Sequence, residues 1–249
     1  MKIIIRNKYL KEISKFDDNE IIKVITGQRR VGKSYFTKQL ISHIEKQKTK
    51  INIIYINLEL FEFSKLNTAE DLVNYVEQKT KNKNIIIIDE IQEIQEFERA
   101  IRHFYSKNYN IYITGSNSSL LSGELATMLS GRYVQFKINP LNFSEFCKFH
   151  NLEKTQSTLN KFIKFGGMPY LKNLNLNDDE VIYTYLRNIY QSILLKDVVA
   201  RYKLKNVDFL ERLVLFLADN VGSIVSAKKI TDFLKSQNIL FSFSVFRKI

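Results

Sequence analysis

Apolar residues in the first half of the chain fall into short dense runs separated by stretches of helical spacing. Ile21–Thr26 (IIKVIT), Ile51–Asn57 (INIIYIN), Ile85–Asp89 (IIIID), Asn110–Thr114 (NIYIT) and Tyr133–Ile138 (YVQFKI) read as strands. The first four are nearly continuous in β-branched residues rather than alternating. That is the pattern of strands covered on both faces of a parallel sheet. Between the runs, Phe36, Leu40 and Ile44 recur every four residues, and Phe97, Ala100, Ile101 and Phe104 make a second helical stripe. Strands alternating with helices predict a three-layer α/β domain around a parallel sheet.

The pattern changes after Pro140. The segments FSEFCKF, LNKFIKF and VIYTYLRNIYQSILL all have helical spacing, and the last places Ile182, Tyr185, Leu186, Ile189, Tyr190 and Ile193 on one face. Gly166, Gly167 and Pro169 interrupt the helices in KFGGMPY. From residue 206 a third pattern begins: VDFLERLVLFLADN, SAKKITDFLKS and FSFSVFRKI, with a turn at QNIL. Three short helices so arranged predict the helical part of a winged helix-turn-helix. The chain stops before any wing, which reads as truncation. The expected division is an α/β core over 1–139, a helical lid over 140–205 and a partial winged-helix module over 206–249.

Composition narrows the setting. No apolar run approaches the roughly 20 residues that span a bilayer, and the N-terminus lacks the apolar segment and small-residue cleavage site of a secretory signal. Cys147 is the single cysteine, so an internal disulfide is excluded and the residue reads as a small apolar packing group. His43, His103 and His150 have no ligand-spaced partners, so no His/Cys metal site is expected. These features together place the chain in the cytoplasm, with no membrane partner. The net charge of +12 makes nucleic acid a candidate partner. Lysine outnumbers arginine 28 to 10, which looks more like a general compositional bias than a built binding patch.

The candidate chemistry lies in GQRRVGKSY, which fits G-x-x-x-x-G-K-[ST] between the first strand and the first helix. Gly27 and Gly32 allow a tight turn and close approach of the backbone to phosphate oxygens. Successive N–H groups then form an anion nest at a positive helix terminus. Lys33 reaches the β- and γ-phosphates, and the Ser34 hydroxyl ligates Mg²⁺. Gly27, Gln28, Arg29, Arg30, Val31, Gly32, Lys33, Ser34 and Tyr35 form the candidate nucleotide-contacting loop. Arg29 and Arg30 read equally as phosphate or neighbour contacts and as solvated loop charges. A second element follows in IIIIDE: Asp89 is placed to hold the cation and Glu90 to act as general base toward water. The fourth strand runs into TGSNSS, where Ser116 or Asn117 would sit near the γ-phosphate; Asn117 is the preferred candidate. The competing reading is an ordinary turn and helix cap.

The segments VITGQRRVGKS, IIIIDEIQEI, YITGSNSSLLSGELATMLSGR, PLNFSEF and GGMP together resemble prokaryotic AAA-type ATPases that carry a C-terminal domain of unknown function. The resemblance implies an AAA+ core of the additional-strand class, a helical lid, a winged-helix module and Mg²⁺-dependent ATP hydrolysis. Arg132, in SGR, matches the family's Gly-Arg position. It is a candidate charge-stabilising residue for the γ-phosphate, in cis or from a neighbouring subunit, the rival reading being a surface helix cap. Neither Arg187 nor Arg201 is singled out as a second sensor. A trans-acting arginine would require a homo-oligomer. The leading function is an ATPase that couples ATP and ADP states to its C-terminal module, with double-stranded DNA as a candidate partner. An ATP-dependent binding switch, a small-molecule kinase and a DNA-binding module with incidental ATP are the alternatives. For the last, Ser242, Ser244, Arg247 and Lys248 would face DNA, while Phe241, Phe243 and Phe246 read as core.

Overall fold

Ile85, Ile86, Ile87 and Ile88 are all buried to within 1% exposure, yet they do not share one core. In the computed structural model, which describes residues 4–17, 19–48, 51–81, 83–116, 129, 131–199 and 207–236, they lie on the strand β3 (Asn84–Asp89). Side chains alternate across a strand, so Ile86 and Ile88 enter one apolar layer and Ile85 and Ile87 the other. The other strands are β1 (Ile22–Gly27), β2 (Asn52–Asn57), β4 (Asn110–Ser116) and β5 (Tyr133–Lys137). All pairings are parallel and the order is β2-β3-β4-β1-β5. One face is covered by α3 (Ala69–Glu77) and α4 (Phe97–Ser106), through Leu72, Val76, Ile101 and Phe104. The other is covered by α1 (Asn7–Ile13) and α2 (Lys33–Gln47), through Leu10, Ile13, Phe36, Leu40 and Ile44. This is the three-layer α/β fold that the hydrophobic pattern predicts.

Strand boundaries agree with the pattern to within two residues. The largest difference is at β4, which continues through Ser116 and pairs that residue with Gly27. Two helices, α1 and α3, lie outside the stripes named above. Of these, α3 is defined by a capping box: Thr68 Oγ1 accepts from the Asp71 N–H at 3.2 Å, and the Asp71 carboxylate accepts from the Thr68 N–H at 2.9 Å.

The helical segment after residue 140 comprises α5 (Phe143–His150), α6 (Gln156–Phe165), a 3₁₀ turn over Pro169–Asn173 and the start of α7 (Asp179–Ile193). Arg6 fastens the N-terminal segment to it. Its guanidinium grips both Glu145 oxygens at 2.9 and 3.0 Å and donates to the Asn139 carbonyl at 2.9 Å. The GGMP turn is packed even more closely. The Leu141 N–H donates to the Gly167 carbonyl at 2.7 Å, and a Cβ on Gly167 would lie 2.0 Å from the Leu141 oxygen. Only glycine fits there.

Contacts divide the chain into two units, 1–183 and 184–249, the boundary falling inside α7. The second unit contains α8 (Val207–Asp219) and α9 (Ala227–Ser236), with a core of Phe209, Leu210, Leu213 and Leu234 joined by Leu194. The expected third helix of that region, with Phe241, Ser242, Phe243, Ser244, Phe246, Arg247 and Lys248, lies outside the described residues, as does Arg201. Among the described residues no helix is long and apolar enough to cross a membrane.

Two outcomes follow from this packing. Gly167→Ala should lower stability by about 3 kcal/mol, since backbone must move to admit the methyl group; thermal unfolding of the variant checks it. His150 stacks 4.3 Å from Phe146 with a buried, unpartnered Nε2, and burial, aided by Lys172, pulls its pKa down to about 4. The unfolded chain therefore takes up this proton first. The corresponding stability is complete above the ordinary histidine value and is lost as pH falls from about 6.5 toward 4. His150→Gln should flatten the dependence of Tm on pH across that window.

Candidate functional site

A parallel sheet delivers the C-terminal ends of all its strands to one edge. Here β4 lies between β1 and β3, so the phosphate-type loop, the end of β4 and the acidic pair stand side by side. The loop itself is shaped by packing. A Cβ on Gly27 would lie 2.5 Å from the Ile138 carbonyl oxygen. Gly27 is thus required by the neighbouring chain segment, in addition to the phosphate approach expected of it. Val31 is buried in the α2-side core and anchors the loop from beneath. Arg30 has φ 68°, and Gly32 with φ 93° forms the left-handed N-cap of α2. The first-turn N–H groups of α2 have no partners within the helix, which leaves a positive terminus facing the loop.

Lys33 is 5% exposed. Its Nζ donates to the Gly27 and Gln28 carbonyls at 3.3 and 3.5 Å and pairs with Glu90 Oε1 at 3.4 Å. Glu90 is buried as well and has a left-handed backbone (φ 58°, ψ 51°). That conformation is uncommon for a residue with a Cβ and turns the side chain back over the sheet edge. The Gln92 side-chain amide donates to the other Glu90 oxygen.

Thr114, on β4, connects the acids. Its hydroxyl donates to Asp89 Oδ1 and accepts the Glu90 N–H at 3.1 Å. Asp89 is fully buried and its Oδ2 has no hydrogen-bond partner. Burial holds the Asp89 carboxyl above the usual range, and the charge of Glu90 adds to this. The Thr114 and Ser34 hydroxyls and the Lys33 charge work in the opposite direction. An ionisable oxygen left unpartnered in so buried a place is suited to a hard cation. Among the described residues no group of three or more His, Cys, Asp or Glu side chains is gathered to hold a metal. The Ser34 hydroxyl approaches Asp89, and this pair fits an ion such as Mg²⁺, which takes few protein ligands and completes its shell from water and phosphate.

Thr114 and Gln92 carry no sequence signal of their own. The first reads as the last residue of a buried strand and the second as part of an amphipathic segment. Of the other loop residues, Gln28 and Arg30 are exposed, Arg29 is half-buried and Tyr35 is 55% exposed on the first turn of α2. Ser116 is buried beside Gly27, and Asn117 lies outside the described residues. The GGMP turn lies against the loop: the Pro169 ring comes within 3.9 Å of the position of a Gly32 Cβ.

Arg132 does not join this cluster. Its carbonyl accepts the Ile22 N–H at 2.9 Å, at the start of β1, and its guanidinium lies over the Tyr105 ring at 5.3 Å. The length of β1, about 16 Å at about 3.3 Å per residue, separates that point from Gly27.

A glycine-hinged loop opening a helix, an acidic pair ending a second strand and a third strand inserted between them define a P-loop NTPase of the additional-strand class. Residues 19–147 match the model of the family described as "AAA domain", and the chain belongs to that family of nucleotide-binding AAA+ ATPases. An uncharacterized protein of Haemophilus influenzae is 38% identical over 246 residues, 95% of this chain and 61% of that protein. An uncharacterized protein of Methanocaldococcus jannaschii is 38% identical over 236 residues, 89% of this chain and 52% of that protein. The chain thus spans between half and two thirds of the length of these relatives. Among solved structures, the Aeropyrum pernix ORC1 protein in complex with DNA is similar with a TM-score of 0.45 and 12% identity, covering 99% of this chain and 81% of that one. At that score the likeness has no bearing on the role of this chain.

Thr114→Val should remove the hydroxyl that serves both acids, leaving buried Asp89 Oδ1 and the Glu90 N–H unpaired. The expected loss is about 2 kcal/mol by denaturant titration, with Thr114→Ser close to the parent.

Proposed function

We propose that the protein binds ATP with Mg²⁺ and hydrolyses it. The observation that supports this best is the buried pairing of Lys33 with Glu90 across the strand edge, next to the unpartnered oxygen of Asp89. A triphosphate tail on the loop would draw Lys33 onto its β- and γ-oxygens and release Glu90 from the ion pair. The freed carboxylate then accepts a proton from a water aimed at the γ-phosphorus, as the water oxygen bonds to phosphorus and the bond to ADP breaks. Magnesium bound with the nucleotide supplies charge neutralisation at the phosphate oxygens, and the Ser34 hydroxyl and Asp89 Oδ2 would hold it. Asn117 is assigned to orient the water.

Arg132 sits too far from its own loop to serve there, so we assign it to the γ-phosphate of a neighbouring copy in a homo-oligomer. The GGMP turn beside Gly32 is a short route by which loss of the γ-phosphate reaches the helical lid. We place the protein in the cytoplasm and take the 206–249 module to be part of a winged helix that receives the nucleotide-dependent motion, with double-stranded DNA as its partner. The net charge of +12 favours such a polyanion. A second reading is a nucleotide-dependent binding switch with little turnover. It is favoured by the double tie of Glu90 to Lys33 and Gln92, which restrains the general base.

Glu90→Gln separates the two readings. A hydrolase should keep ATP binding in that variant and lose turnover by about 10²- to 10⁴-fold, whereas Lys33→Ala should lose binding itself. Turnover measured with and without double-stranded DNA tests the partner. Unchanged hydrolysis in Glu90→Gln would remove the general-base assignment.

A further inference from the structure

The strand β2 contributes a residue to the cation site that the phosphate-loop chemistry does not use. In the parallel pairing of β2 with β3, Tyr55 is opposite Ile87 and Asn57 opposite Asp89. Residues two apart on a strand share a face, so Tyr55, Asn57 and Asp89 all lie on the side covered by α2, whose first turn carries Ser34. Two residues of strand rise about 6.6 Å, close to the reach of a tyrosine side chain. The phenol therefore extends along the strand toward the Asp89 carboxylate, and its hydroxyl faces the Asn57 and Asp89 side chains. That hydroxyl is buried and completes no hydrogen bond of good geometry, and neither does Asp89 Oδ2, although the phenol approaches the Asn57 and Asp89 side chains. The Asn57 carbonyl oxygen is already occupied by the Glu59 N–H at 3.0 Å.

Buried polar groups in folded proteins are nearly all hydrogen-bonded. A phenol donor that approaches a carboxylate oxygen without completing a well-formed hydrogen bond can steady that carboxylate and still leave it open to a third group, such as a cation with its water shell. A phenol ordinarily titrates at about 10, so the Tyr55 hydroxyl is a donor at physiological pH.

We propose that Tyr55 is a positioning residue of the cation site: its hydroxyl orients the Asp89 carboxylate and a water of the bound magnesium shell, so that Oδ2 presents to the ion. The assignment rests on the nucleotide-binding reading above. It differs from the roles of Lys33 and Glu90 in predicting an effect confined to the metal. Outer groups that orient a ligand typically alter metal affinity by about 10- to 100-fold when removed.

The test is calorimetric binding of a non-hydrolysable ATP analogue to the full chain, first in EDTA and then across a magnesium chloride titration. Tyr55→Phe removes only the hydroxyl. It should leave affinity in EDTA within about twofold of the parent and raise the magnesium concentration needed for half-maximal enhancement about tenfold. In an Asp89→Asn background the same substitution should have no further effect, because the two act as one unit. An unchanged magnesium requirement would overturn the proposal, and so would an equal loss of affinity with and without magnesium, which marks a purely structural role. If Tyr55→Phe did not fold, 4-aminophenylalanine at position 55, which keeps a donor at the same reach, should hold the magnesium requirement near the parent, and 4-fluorophenylalanine, which cannot donate, should raise it about tenfold; equal requirements would overturn the assignment. Failure of the parent protein to bind the analogue at any magnesium concentration would instead remove the nucleotide reading, and Tyr55 with it.

Discussion

The site is organised around the ammonium of Lys33, held between two loop carbonyls and the Glu90 carboxylate. A buried cation must be compensated locally, because an uncompensated charge in that environment costs several kcal/mol. The loop carbonyls supply part of the compensation and Glu90 the rest. The same ammonium faces the space above the helix terminus, so an incoming polyanion and Glu90 compete for one partner. On the reading proposed here, that competition links occupancy of the loop to the availability of a general base. Asp89 makes no ion pair with that ammonium: Thr114 holds one of its oxygens and the other is left for a cation.

None of this could be assembled without the strand order. With β4 between β1 and β3, the Thr114 hydroxyl stands between the loop and the acids, and a single side chain satisfies both the Asp89 carboxylate and the Glu90 backbone. Helices cover both faces of the sheet, and the resulting burial gives these hydrogen bonds their weight, since water cannot replace a partner that is lost. The opposite end of the sheet is polar in a different way. Lys23 is fully buried there, with Nζ donating to the Asn19 carbonyl at 2.6 Å and to Asn110 Oδ1 at 2.8 Å. Tyr112 donates to Asp17 at 2.8 Å close by. These groups close the end of the sheet where Arg132 emerges and leave the chemistry to the other end.

Much of the fold was legible because buried parallel strands leave a signature that survives in one dimension. Runs such as IIIID have no polar face, and only a strand covered on both sides tolerates that. The meeting of the Gly27–Ser34 loop with the Asp89–Glu90 pair was legible for a similar reason, since glycines at fixed offsets and acids after four isoleucines have few structural uses. The helix α3 is written in the sequence as well, in the Thr68-x-x-Asp71 capping box ahead of Leu72 and Val76, but its apolar stripe is short. Thr114, Gln92 and Tyr55 were hidden because a polar atom within an apolar run shows its purpose only when its partner is known.

The sequence by itself determined the class of fold, the glycine-hinged loop and the identity of the charged residues, since each follows from local backbone needs or from a short pattern. Tertiary structure decided which of their side chains pair. It brought Lys33 to Glu90 across separate strands, and it set Arg132 at the far end of β1. It also gave Gly27 and Gly167 their reasons in contacts with Ile138 and Leu141. Those outcomes depend on strand order and on the separation between segments distant in the chain, and no local pattern encodes either one.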